Sequence, residues 1–116
     1  MASTMGSTET ATTMYAALLV YEASSPAAGF EPLYQETVTL IRASSPEHAA
    51  ERAREFAHTR ETSYQNEMGE TITWSLKHLV DVSEVTDRID DKAEIYTRHF
   101  YNYEAYRAFE MMPLSQ

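Results

Sequence analysis

No cysteine occurs among the 116 residues. That excludes disulfides, thiolate nucleophiles and cysteine-based metal clusters. Glycine is nearly as scarce: three residues are too few for a loop that cradles phosphates on its backbone amides. Positive charge is thin as well, with nine Lys and Arg against 18 Asp and Glu and a formal net charge of -9. Non-specific affinity for nucleic acid comes from cations that displace counterions on phosphates, so nucleic acid is not the expected partner. An anionic membrane surface is disfavoured for the same reason. The longest apolar run, Tyr15 to Tyr21, is far too short to span a bilayer. Residues 1–13 carry neither a basic start nor an apolar stretch, so no signal peptide is visible, and a cytoplasmic location is expected.

What is present fits one domain with a thin core, because apolar residues make up only 43% of the chain. The Ser/Thr-rich stretch 1–13 is expected to be a disordered tail, 14–112 a single domain and 113–116 a disordered end. A first strand is expected over about Met14 to Glu22, apolar on both faces and therefore covered on both sides. A Pro- and Gly-containing loop leads to a second strand, Leu33 to Ala43, with the β formers Thr37-Val38-Thr39-Leu40-Ile41. Ser45-Pro46-Glu47 is a helix start, by cap, first-turn proline and acid at the positive end. Apolar spacing carries that helix to about Asn66, and Gly69 stops it. A third strand, Glu70 to Val82, places Ile72, Trp74, Leu76, His78, Val80 and Val82 on one face. A turn at Asp90-Asp91-Lys92 precedes a fourth strand, Ala93 to Tyr101, and then a short helix, Tyr103 to Met112. The expected fold is α+β: a four-stranded antiparallel sheet (β-β-α-β-β), one long helix on one face and a short C-terminal helix. Trp74 and Phe56 are both expected to be largely buried.

The segment Tyr64-Gln65-Asn66-Glu67-Met68-Gly69-Glu70-Thr71-Ile72-Thr73-Trp74 resembles the most distinctive stretch of a bacterial family, domain of unknown function 4288. Tyr15 to Glu22, Leu33-Tyr34-Gln35-Glu36 running into Arg42-Ala43, and Glu94 to Arg98 agree with it. The resemblance covers roughly residues 14–100 and supports the architecture. It implies no activity, and the Tyr-rich extension beyond Phe100 departs from it.

Candidate chemistry is sparse. His48 and His58 are ten positions apart on the expected helix, about 80° apart around its axis, and do not converge. No histidine pair has metal-ligand spacing, so no metal site and no cofactor are expected. Glu47, Glu51 and Glu55 share a helical face and read as solvated charge. Glu36, Tyr96, Arg98 and His99 are the candidate ligand-binding residues: Arg and Tyr on an open sheet face suit an anion, although a strand Arg beside a carboxylate is more often a structural ion pair or a cross-strand pair. No nucleophile motif is present. The leading expectation is a small acidic, non-enzymatic interaction module favouring a basic protein partner, either an immunity or inhibitor protein or an accessory subunit of a biosynthetic enzyme. The alternative is a cofactor-independent enzyme or ligand-binding protein with a pocket between sheet and terminal helix. A homodimer is also expected, with Leu18, Val20, Tyr101, Tyr103, Tyr106 and Phe109 at its interface.

Overall fold

The computed structural model describes residues 12–110. The ends expected to be disordered therefore fall almost entirely outside the described residues, although Thr13 already begins a strand. Six elements follow in order: β1 (Thr13–Ser24), β2 (Leu33–Ala43), α1 (Pro46–Thr59), β3 (Thr62–Gln65), β4 (Thr71–Glu84) and α2 (Tyr103–Glu110). All strand pairs are antiparallel, and the sheet order is β2-β1-β4-β3. The fold is α+β, as expected from the sequence. β1 lies inside the sheet, which is why its residues are apolar on both faces.

α1 starts where its cap predicts: Ser45 is extended, and its hydroxyl accepts from the His48 amide at 3.0 Å. It ends at Thr59, seven residues before the expected Asn66. The Thr59 hydroxyl donates to the Phe56 carbonyl, and the Glu61 carboxylate accepts the Leu76 amide at 2.9 Å, drawing the chain out of the helix toward β4. The freed residues Thr62–Gln65 form β3. Asn66 and Gly69, expected to end a helix, instead close the β3–β4 hairpin. Asn66 Oδ1 accepts the amides of Met68 and Glu70, at 3.0 and 2.9 Å, and Gly69 takes a φ of 78° that side chains resist. The expected fourth strand, Ala93 to Tyr101, is not a strand: residues 93–100 have no regular secondary structure. The place beside β4 is taken by β3, whose hairpin closes locally at a smaller loop-entropy cost.

The helix face of the sheet holds the core. Ala49, Ala53 and Ala57 of α1 are fully buried, so helix and sheet approach closely over Tyr15, Ala17, Leu19, Tyr21, Ile41 and Ala43. Leu79 and Val82 of β4 pack against the Tyr15 end, while Trp74, Leu76 and Leu79 pack against Leu19 and Tyr21. Phe56 and Trp74 correct the expectation of deep burial. The helix rides on its alanines, so Phe56 hangs over its flank at 40% exposed, and Trp74 is only half-buried.

β4 does not keep the simple alternation its sequence suggests. Its register against β1 shifts between Leu18 and Leu19, and again between Val20 and Tyr21, which leaves Val80 and Lys77 as extra residues. Each bulge reverses which face the following side chains take. His78, expected beside Trp74 and Leu76, is exposed and lies opposite Val20, whereas Leu79 joins the core.

Candidate functional site

The second sheet face carries Ala16, Leu18, Val20 and Glu22 of β1. Their cross-strand partners are Leu40, Val38, Glu36 and Tyr34 on β2, and Ser83, Asp81, His78 and Ser75 on β4. This face is not bare. The Val85 amide donates to the Met14 carbonyl at 2.8 Å and carries the chain past the end of β4. A turn at Asp90–Ala93, with Lys92 at a φ of 67°, then reverses it. The Glu94 amide donates to Asp87 Oδ2 at 2.9 Å, and the Tyr96 hydroxyl donates to Asp81 Oδ2 at 3.0 Å. Asp81 lies directly opposite Leu18, and Leu18 is 3% exposed. Leu18 is thus covered by its own chain, which removes it from the surface where a partner contact was expected. Val20 is half-buried.

Of the four candidate ligand residues, Glu36 alone lies in a strand. Tyr96 is half-buried and committed to Asp81. Desolvation, followed by the hydrogen bond to Asp81, raises its hydroxyl above the ordinary tyrosine value, with Arg98 opposing and Glu36 adding to the rise. The three residues therefore share one electrostatic neighbourhood, and Tyr96 serves as an anchor for the covering segment. The space beside it, lined by Ser83, Glu84, Asp87 and Thr97, is a small polar hollow of about 170 Å³. Arg98 and His99 are exposed on an open depression with Phe100, Asn102 and Tyr106.

Among the described residues α2 lies against no strand and no other helix, so the depression beside Arg98 and His99 is walled by α2 and the segment before it, not by the sheet. Every residue of α2 is exposed, and Tyr101 just before it is fully so. Asn102 Oδ1 accepts the Ala105 amide at 3.0 Å and holds the first turn. Phe100 stacks on Tyr106 with ring centroids 4.8 Å apart, and Tyr103 lies 6.2 Å from Tyr106. An aromatic stripe, Tyr103, Tyr106 and Phe109, is thereby preordered and faces water.

A larger cavity lies on the helix side, at residues not selected from the sequence. Tyr21, Trp74 and Phe56 wall a half-open cleft of about 520 Å³, with Gln35, Thr37 and Thr39 of β2 and Arg60 at its rim. Burial raises the Tyr21 hydroxyl above its ordinary value, partly offset by the Arg60 charge. Glu61 beside it is held below the usual carboxylate range by the Leu76 amide and then by His58. The alternating polar residues Gln35, Thr37 and Thr39 of β2 are the sequence signal for this cleft. It could be read only once β3 and the end of α1 were known.

Residues 14–97 match the family described as Domain of unknown function (DUF4288). No curated protein matches the chain significantly, and no solved structure does. The match spans the sheet, α1 and the segment anchored by Tyr96 and stops short of α2. The chain belongs to the DUF4288 family.

Proposed function

We propose that the chain is a non-enzymatic protein-interaction module that engages its partner through α2. One observation carries this reading: the stripe Tyr103, Tyr106 and Phe109 is fixed on a helix that contacts none of its own sheet. Aromatic side chains left in water gain most by being buried against a partner, and tyrosine is enriched among the residues that dominate binding energy. The net charge of -9, with Glu104 and Glu110 on α2 itself, favours a partner whose apolar groove has a basic rim. A basic toxin held by its inhibitor, or a biosynthetic enzyme with an accessory subunit, would each fit. The test is a full-length variant with Tyr103, Tyr106 and Phe109 changed to serine. Its stability should be nearly unchanged, within about 0.5 kcal/mol per site, because α2 packs on no strand and no other helix. Capture of the partner that the parent chain retains at physiological salt should be lost. Equal capture by the two chains would refute the reading.

A second reading, binding of a small ligand, is supported by the helix-side cleft. Its aromatic walls suit a planar group and Arg60 an anion, so an aromatic carboxylate is the fitting class. Trp74 is the sole tryptophan and reports on the cleft without labelling. Titration with aromatic carboxylates should alter its emission, and Arg60→Ala should abolish the response. Unaltered emission across such a series would retire this reading.

A further inference from the structure

β2 hydrogen-bonds to β1 along one side and to no strand along the other among the described residues. It is 11 residues long, and Leu33, Tyr34, Val38 and Leu40 are exposed along it. A long unpaired edge is a template for another strand, and natural edges are usually blunted by charged side chains, lysine above all, by proline or by bulges. β2 has no lysine, proline or bulge, and its two charges, Glu36 and Arg42, are of opposite sign. Pro32 precedes it, and at its far end Arg52 donates to the Arg42 carbonyl.

The even-numbered residues Glu36, Val38, Leu40 and Arg42 share the second sheet face. Glu36 lies opposite Val20 and Arg42 opposite Met14, so neither meets an opposite charge across the β1 pairing. Six positions of strand, about 20 Å, separate them from each other. A two-fold axis perpendicular to the sheet would run β2 antiparallel to its copy with the two helix faces on the same side. With that axis at Thr39, Glu36 faces the partner's Arg42 and Arg42 the partner's Glu36. Val38 then faces the partner's Leu40, and Thr39 its own counterpart. Moving the axis one residue, to Val38 or Leu40, puts Glu36 opposite Leu40 or Ser44 and loses both charge pairs.

We propose that β2 pairs with β2 of a second copy, antiparallel and centred on Thr39, so that two four-stranded sheets join into one of eight strands. The overlap runs from Gln35 to Ala43, about 30 Å at 3.4 Å per residue. It sets the partner's Ile41 and Ala43 beside Thr37 and Gln35, on the open side of the helix-side cleft. This surface is separate from α2, and the proposal does not depend on the reading given to that helix.

Sedimentation equilibrium of the full chain across the micromolar range tests it. The parent chain should be a dimer. Glu36→Arg, which by symmetry sets two like-charge pairs across the axis, should weaken association about tenfold. The double variant Glu36→Arg/Arg42→Glu should restore it, a rescue that residues this far apart could not effect within one chain. Independently, Thr39→Cys in this cysteine-free chain should crosslink to itself on oxidation, because facing strand residues lie within disulfide reach, whereas Leu33→Cys should not. A monomeric parent chain, a Glu36→Arg variant that associates as well as the parent, a failed rescue, or an uncrosslinked Thr39→Cys would each overturn the proposal. A dimer dispersed by the α2 serine variant and untouched by Glu36→Arg would also do so, and would assign the contact to α2.

Discussion

Leu18→Glu is expected to abolish the folded state at neutral pH. Leu18 is 3% exposed, beneath the segment that Tyr96 anchors, and it faces Asp81 across the β1–β4 pairing. A carboxylate there would be desolvated and set beside a like charge. Removing the partner from a buried charge pair costs about 3–5 kcal/mol, a guide to the penalty for an unpaired buried charge and comparable to the whole stability of a small domain. Both effects disfavour ionisation, so the penalty should shrink as the pH falls and the new carboxyl is protonated. Far-UV circular dichroism from neutral to mildly acid pH would follow this. Leu18→Met, which keeps volume and polarity, should cost under about 1.5 kcal/mol. A Leu18→Glu chain as stable as the parent would mean that this face is open to water. The same burial means that loss of fold in Leu18→Glu carries no information about dimerisation; the charge reversal at Glu36 does.

Leu19→Ala is expected to cost about 3 kcal/mol, within the roughly 2–5 kcal/mol range for large-to-small core changes. Leu19 is the one large side chain that is completely buried among the described residues, and it sits where Ala57 meets the sheet. Its neighbour on the helix is only Ala57, and the other side chains around it, Tyr21, Trp74, Leu76 and Leu79, are held on the sheet. Urea unfolding should show a lower midpoint with an unchanged slope. A loss under about 1 kcal/mol would show that Trp74 and Leu76, both half-buried, relax into the cavity.

The first two strands and the start of α1 were legible because their signals are local. A run apolar on both faces marks an interior strand, β-branched residues mark β2, and Ser45-Pro46-Glu47 marks a cap. The turn at Asp90–Ala93 could be read for the same reason. Residues 60–66 and 93–101 fold differently from the expectation because local pattern leaves them undecided. Thr62-Ser63-Tyr64-Gln65 continues a helical stripe as readily as it forms a strand, and Glu94 to Tyr101 alternates as a strand would. β3 holds the place beside β4 through the short hairpin at Asn66 and Gly69, which closes at the smaller loop-entropy cost.

The candidate site divides along the same line. The aromatic excess of α2 is visible in the sequence, but its isolation from the sheet is not. Glu36, Tyr96 and Arg98 can be selected as candidates from residue type, yet the hydrogen bond of Tyr96 to Asp81, 15 positions away, is set by the tertiary structure. Composition, charge and periodicity thus determined that this chain makes an acidic α+β domain with a thin, alanine-rich core, because those properties sum over residues regardless of partners. The tertiary structure alone decided where the β4 bulges fall, which segment becomes the fourth strand and what covers each face of β1. Each of these is a competition between distant segments for the same hydrogen bonds and the same buried area, and no local pattern encodes its outcome.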